Sequence, residues 1–441
     1  MPEKFRNIDR TQSIMIDADF KSFLTKDSLA RYTMDIVEQL NLTSIEGAYS
    51  FIGNKAYPPK MMLSLLFYSY SQGIFSSRSI ERATHELIPV MYITHGQGPD
   101  HTVIARFRKD FGKEIASLFV QILEIAAAMG VFELGDISLD GTKIEANASK
   151  HKALSYEYTI KLTKQIDDEI EKLMKASKDA DCHDFDDLDI PNEIKNRQDR
   201  LREIKATKIE IEARRKIKYD QEKEEYDAKI KAREEKEKIL GRKLGGKKPQ
   251  EPTPEPKSSD QVNLTDSESR IMPVSGGGFK QAYNAQAAID MDNRLIVENH
   301  VTQNTNDKKE LEPVFDNIEQ LPASLGKVNR AAADNGYDSE SNRKLAVKKS
   351  IDLHVPKGRQ KHNNFLNNHV DTKDSSDDEK KRQKFYDRRK TTIEPLFGVI
   401  KSVMGFRKFS LRGIEAVNSE WSLVCIAYNI KRLCILNLGK V

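Results

Sequence analysis

The sequence predicts an α/β protein in three parts: a helical N-terminal region, a core of strands and helices, and a charged helical arm inserted behind the first strand. Three observations lead there. Apolar residues recur at helical spacing through residues 28–130. A period near two appears at residues 135–148 and returns after residue 278. Between them, residues 154–244 are dense in Lys and Glu, with apolar positions one turn apart. The 441 residues leave room for two or three domains, at roughly 100 to 200 residues each. Charged residues are 32% of the chain against 38% hydrophobic, so part of it is too polar to pack into a core.

In the first part, Leu29, Tyr32, Ile36 and Leu40 mark one helix face, and "PPKMMLSLLFYSYSQG" opens on prolines suited to helix entry. "SSRSIERATHEL" begins at a serine cap, and "GPDHTVIARFRKDFG" makes Asp100 the cap of another helix. Short helices with tight turns fit a helix-turn-helix and a plain helical domain equally well. Arg106 and Lys109, one turn apart, are its candidates for phosphate contact, against the commoner reading of a solvated face.

Ile137 and Leu139 alternate with Ser138 and Asp140, so a strand here carries Asp140 off its apolar face. An Asp directly before Gly, as in "LDGT", is on its own a turn signal. Leu162, Ile166, Ile170 and Leu173, then Leu201, Ile204 and Ile211, predict a helical hairpin or coiled-coil-like arm, whose plainest reading is a solvated insertion. "GGKKPQEPTPEPKSSDQ" follows as a proline-rich linker. "FKQAYNAQAAIDMDNRLIVENHVTQ" reads as two strands split by "DMDN", a turn that favours positive φ at Asp or Asn. Next come a helix, "NDKKELEPVFDNIEQL"; a strand ending at Asp334, "KVNRAAADNGYD"; a helix, "SESNRKLAVKKS"; and a strand, "DLHVPK". A flexible polar loop over residues 358–384 leads to a helix with Ile393, Phe397, Ile400 and Met404 on one face. With the arm removed, the order is three strands, helix, strand, helix, strand, helix. That is the order of a ribonuclease-H-like layer.

Net charge, +4, says little about partners, but its distribution does: residues 381–412 hold ten Lys or Arg against Asp387 and Glu394. This local anion-binding composition favours nucleic acid over a membrane. Cys182, Cys425 and Cys434 have no paired zinc spacing and are too few for a disulfide framework, so a reducing interior is expected. No apolar run approaches the roughly 20 residues that span a bilayer, and "MPEKFRNIDR" has no signal-peptide core. A soluble intracellular protein is the expectation.

Three acids occupy positions that an open sheet can bring to one site: Asp140 on the first strand, Asp334 at the end of the fourth and Glu394 in the final helix. Converging carboxylates without a histidine pair suit a hard cation, Mg²⁺ or Mn²⁺, rather than zinc. Two such ions serve in-line phosphoryl transfer. Singly, each acid has a duller reading as a turn aspartate or a surface glutamate. Asn147 and His151 read as structural or phosphate-contact residues, Asn335 and Tyr337 as shaping their turn, Trp421 and Tyr428 as core, and His183 beside Cys182 lacks further ligands at metal spacing.

The motifs around the acids carry a resemblance to the DDE transposases of bacterial insertion sequences, in the branch with a Tyr-Arg-Glu-Lys signature. "LDGTKIEANASKH" is similar to that branch's first-Asp motif, "YNAQAAID" with "VTQNTNDKKELEP" to its second and third strands, "ADNGYDSE" to its second-Asp motif and "RRKTTIEPLFGVIK" to its third. The likeness covers most of the chain apart from the arm. It implies catalytic roles for Asp140, Asp334, Glu394 and Lys401, two Mg²⁺ or Mn²⁺ ions on the three acids, and DNA contacts by Tyr386, Arg389, Lys390 and Lys401. The signature departs from the family's at two positions. Glu394 and Lys401 have the expected six intervening residues, but Lys390 stands four before Glu394 and Tyr386 is one residue too far upstream. Lys390 and Arg389 therefore compete for the arginine's place, and a lysine lacks its bidentate fork.

The resemblance further implies an enzyme that binds the terminal inverted repeats of its element, cleaves the DNA and joins the freed ends to a target. It would work as a homodimer on double-stranded DNA, in the bacterial cytoplasm and nucleoid. The alternative is a catalytically inactive DNA-binding protein derived from such an enzyme. The expected partition is a DNA-binding domain at 1–130, the first core strand at 131–152, the charged insertion and linker at 153–260, and the rest of the core with the C-terminal helices at 261–441.

Overall fold

The computed structural model describes residues 19–49, 56–179, 190–242, 245, 248–274, 277–356 and 377–439. Cys182 and His183 lie outside these. The helices before the first strand are α1 (Leu29–Glu38), α2 (Thr43–Glu46), α3 (Pro59–Ser71), α4 (Ser77–Glu86), α5 (Ile88–Thr94), α6 (His101–Asp110) and α7 (Gly112–Ala128). Then follow β1 (Leu134–Glu145), β2 (Ala153–Ser155), α8 (Tyr156–Asp179), α9 (Ile190–Leu240), β3 (Gln261–Asn263), β4 (Arg270–Pro273), β5 (Phe279–Asp290) and β6 (Ile296–Thr302). The chain continues through α10 (Leu311–Glu319), β7 (Gly326–Ala333), α11 (Glu340–Lys348), β8 (Asp352–His354), α12 (Asp377–Asp387), α13 (Ile393–Gly398) and α14 (Ile414–Leu438). Two compact units result: Met1–Ile144 with Asn284–Leu411 and Glu415–Val441, and Glu145–Tyr283 with Arg412–Ile414.

In the first unit, α3 enters on Pro59, where the missing N–H is no loss, and is buried from Met62 to Ser71. It is the central helix of the N-terminal bundle. The caps fall where the sequence puts them: Ser76 Oγ accepts from the Ser79 amide at 3.1 Å, and Asp100 Oδ1 from the Thr102 amide at 2.7 Å. Gly73, at φ +79°, follows α3, and a Cβ there would stand 2.5 Å from the Met404 carbonyl oxygen. Only glycine serves at that place.

The sheet has the order β4-β5-β1-β7-β8, with β6 also pairing with β5. β1 runs parallel to β7 and β7 to β8, while β5 and β6 are antiparallel. Along the chain, β1, β5, β6, α10, β7, α11 and β8 follow one another in the element order that the sequence predicts. Ser138, on the same alternation as Asp140, is fully buried, as are Ile137 and Leu139, so the polar face expected of β1 is covered, as in a central strand packed on both sides. The outer edge of β6 is closed by side chains of α14. Asn429 accepts from the Ile296 amide and donates to its carbonyl, both at 2.8 Å, and Asn418 accepts from the Val301 amide at 2.9 Å. Trp421, fully buried, donates its indole N–H to the Gln286 carbonyl at 2.9 Å, and so belongs to the core as read.

Three local readings need correction. In the β5–β6 turn the positive φ belongs to Arg294, at 60°, not to Asp or Asn. Asp290 instead pins the turn by accepting the Asp292 and Asn293 amides at 3.1 and 2.7 Å. The loop expected over residues 358–384 contains α12 from Asp377, which is anchored at its end by Phe385 and Tyr386 on Met291 and Ala332; residues 358–376 lie outside the described ones. The single helix expected around Glu394 is broken into a 3₁₀ turn at Arg388–Thr391, α13, and a π turn at Val399–Val403. Pro395 in the first turn of α13 explains the break before it.

The second unit is built on the antiparallel β2–β3 ladder, in which Ser155 faces Gln261 and Ala153 faces Asn263. α8 leaves that ladder and α9 follows. Leu162, Ile166 and Ile170 of α8 pack with Leu154, Leu201 and Ile204, the apolar spacing that the sequence shows. Beyond α9 the proline-rich segment is held along the helix by the Arg215 Nε donation to the Thr253 carbonyl (3.0 Å) and the Lys223–Glu251 pair (2.6 Å). β4 pairs with the first residues of β5, from Phe279 to Ala282. Among the described residues no helix is long and apolar enough to cross a membrane.

Candidate active site

The parallel register of β1 and β7 brings Leu139 opposite Ala333. The next residue on each chain is Asp140 and Asp334, so two carboxylates leave neighbouring strands about 4.8 Å apart. Asp140 is still inside β1 and is followed by Gly141 without a turn. The reason for the glycine is steric. A Cβ at Gly141 would stand 2.7 Å from Asp307 Oδ1 and 2.9 Å from Asn284 Oδ1, and would collide with Gln286 Nε2. The "DG" pair is thus a carboxylate followed by a gap that other polar side chains fill.

Arg389, from the 3₁₀ turn, lies between the two aspartates. Its Nη2 donates to Asp140 Oδ2 at 2.7 Å and its Nη1 is 3.6 Å from Asp334 Oδ1. Its side chain is only 7% exposed. Nη1 also donates to the Tyr386 hydroxyl at 3.2 Å, and the guanidinium stands 5.8 Å from the Tyr386 ring. Lys390 points away, to Asp387 at 3.0 Å, in solvent. A 3₁₀ turn and Thr392 at φ −115°, ψ −79° interrupt the helix ahead of Glu394, and Arg389 rather than Lys390 reaches the two aspartates.

Burial pushes the Asp140 carboxyl up to about 6, against the pull of Arg389 and the Gly141 amide; Asp334 and Asp307 add to the rise. The Arg389 guanidinium is the cation that balances the two carboxylates in this structure. All-oxygen donors with a positive charge drawn between them fit a hard divalent ion. Glu394 is exposed in the first turn of α13 and does not complete the set: among the described residues, the one trio of His, Cys, Asp or Glu groups close enough to share an ion is Glu81, Asp100 and His101. In that trio His101 Nδ1 is 2.8 Å from Glu81 and 3.4 Å from Asp100, which already caps α6.

Lys401 lies in the π turn and donates to the Lys143 carbonyl at 2.9 Å. Burial lowers its ammonium pKa, and the neighbouring Lys143 and Arg407 charges lower it further. Arg106 and Lys109 are exposed on α6. Sequence reasoning missed a polar cluster behind Asp140. Asp307 Oδ1 accepts from Asn284 Nδ2 and Gln286 Nε2, both at 2.7 Å, and lies 3.4 Å from Lys143 Nζ. Tyr337, fully buried, donates its hydroxyl to Gln286 Oε1. The signal was there in "YNAQAAID", where two amides two residues apart share one face of an otherwise apolar strand.

Residues 253–430 match the family model described as Transposase DDE domain, and residues 18–110 match the one described as Transposase domain (DUF772). Neither curated proteins nor solved structures give a match.

Proposed function

We propose that this chain, whose residues 18–110 and 253–430 match a transposase domain and a transposase DDE domain, excises and inserts its own insertion sequence, with DNA as its substrate and a divalent metal as its cofactor. The observation that carries this reading is the Asp140–Asp334 pair on adjacent strands with a guanidinium drawn between them. Asp140 and Asp334 would hold Mg²⁺ or Mn²⁺, with Glu394, which stands apart from them in this structure, serving as the third acid of a two-ion site once α13 closes on the pair; the ions' charge would serve in-line displacement at a phosphodiester. Water breaks the P–O3′ bond at the element's end, and the freed 3′-hydroxyl then attacks a target phosphodiester, one bond forming as one breaks.

The chain's residues do the rest. Arg389 balances the charge of the two aspartates, Tyr386 holds Arg389, and Lys401 grips a backbone phosphate near the scissile bond. Lys390, exposed, is left for a peripheral phosphate contact. The helices of residues 1–130 would bind the terminal inverted repeats, with Arg106 and Lys109 on phosphates, and affinity would fall steeply with salt. Residues 131–152 and 261–441 form the ribonuclease-H-like core in this reading, and 153–260 a coiled-coil-like arm. Two ends must be synapsed, so the working form is a homodimer, in the bacterial cytoplasm.

The test is excision of a marked element with its native ends, in cells expressing the protein or its Glu394→Ala variant. Excision lost in the variant supports the enzyme. The separation of Glu394 from the aspartate pair favours one rival, a DNA-binding protein without catalysis. It gains if neither protein excises while both shift the ends in a gel.

A further inference from the structure

Lys143 is a lysine inside a sheet, three residues beyond Asp140 on β1. Its side chain is 16% exposed, a costly place for an ammonium without a full counter-charge. Its anionic neighbour, Asp307 Oδ1, lies 3.4 Å away and is already held by two amides at 2.7 Å. A second ammonium comes within electrostatic reach: Lys401 Nζ donates to the Lys143 backbone carbonyl at 2.9 Å, and the Lys143 charge acts on it. Arg407 donates its Nε to the Lys401 carbonyl at 2.9 Å, bringing a third cation to this stretch. Three cations and one committed carboxylate leave this end of β1 short of negative charge, on the alternation opposite to that of Asp140.

We propose that Lys143 is a second phosphate-binding lysine, forming with Lys401 a seat for one phosphodiester group of bound DNA, and that Asp307 holds Lys143 in position for it. This rests on the reading that DNA occupies the site. An ammonium binds phosphate as a point charge, so the seat fixes a backbone group without reading sequence. Asp307 is then a positioning residue, its carboxylate fixed by Asn284 and Gln286 on β5.

The experiment measures anisotropy of labelled duplexes taken from the DNA on either side of the gene, in EDTA, over a salt series. Each phosphate contact contributes a slope of about −0.9 in log K against log salt. Lys143→Gln should flatten the wild-type slope by about one such contact, Lys143→Arg should keep it, and Lys143→Gln with Lys401→Gln should flatten it by about two. Lys143→Met, which keeps the stem, repeats the reading should the Gln variant misfold. A wild-type slope in folded Lys143→Gln or Lys143→Met makes the Lys143–Asp307 pair purely structural and overturns the inference alone. If the wild-type protein binds neither flank, the reading of the site as a DNA site falls with it.

Discussion

Whether Arg389 or Lys390 reaches the aspartates was not legible from spacing, because counting residues back from Glu394 assumes an unbroken helix. The 3₁₀ turn and Thr392 break that assumption, and the side chains separate: Arg389 is buried on the acids, Lys390 is in solvent. Lys390→Ala should therefore leave thermal stability within about 0.5 kcal/mol of wild type. Arg389→Ala leaves Asp140 and Asp334 facing each other without a cation, and should cost about 2–3 kcal/mol in metal-free buffer. Mg²⁺ should then raise the melting temperature of Arg389→Ala more than that of wild type, because an ion can supply the missing charge. Equal shifts in a Mg²⁺ titration of both proteins would count against a cation site at the aspartate pair.

At the scale of elements, the strands that carry the acids were readable from their alternation, and their order from the hairpin and helix signals between them. Packing that depends on side chains from distant segments was not. Nothing near Gly141 in sequence announces that Asn284, Gln286 and Asp307 fill the space over it. Gly141→Ala should cost about 1–3 kcal/mol by overpacking, read in a denaturant melt, with Gly135→Ala as a control where only the Asn329 side chain is within 4 Å.

Strand β6 carries a second network. His300 Nδ1 lies 2.9 Å from Glu298, and its Nε2 lies 3.0 Å from Glu310. Burial alone would lower the imidazole pKa, but the two carboxylates outweigh it and raise it to about 10. A folded pKa above the unfolded value of about 6.5 means stability fully present below that pH and lost as pH rises through 10. Urea midpoints of wild type should fall across that window, while those of His300→Gln should stay flatter.

For the whole molecule, the charged segment expected as an insertion begins and ends, within the second unit, at the β2–β3 ladder. Because Ser155 faces Gln261 at the end of the β2–β3 ladder, replacing residues 156–260 with Asn-Gly asks two paired strands to accept a two-residue turn of a favoured kind. Such a variant should fold and retain Mn²⁺ binding, followed by the change in the ion's paramagnetic resonance; loss of both would make the arm part of the core's stability. The position of Glu394 was the least legible feature of all. A motif fixes its neighbours along the chain, while the approach of a helix to a sheet is decided by Ile393, Leu396 and Ile400, all buried beneath it.

The amides of Asn418 and Asn429 also bear on how the protein is made. They close the open edge of β6, yet α14 leaves the ribosome well after β5 and β6 have emerged and can pair. During that interval a nascent sheet displays an uncovered row of N–H and C=O groups, the surface through which unfinished chains add to one another. A chain that stops ahead of α14 thus keeps as an open edge the strand that the finished protein covers.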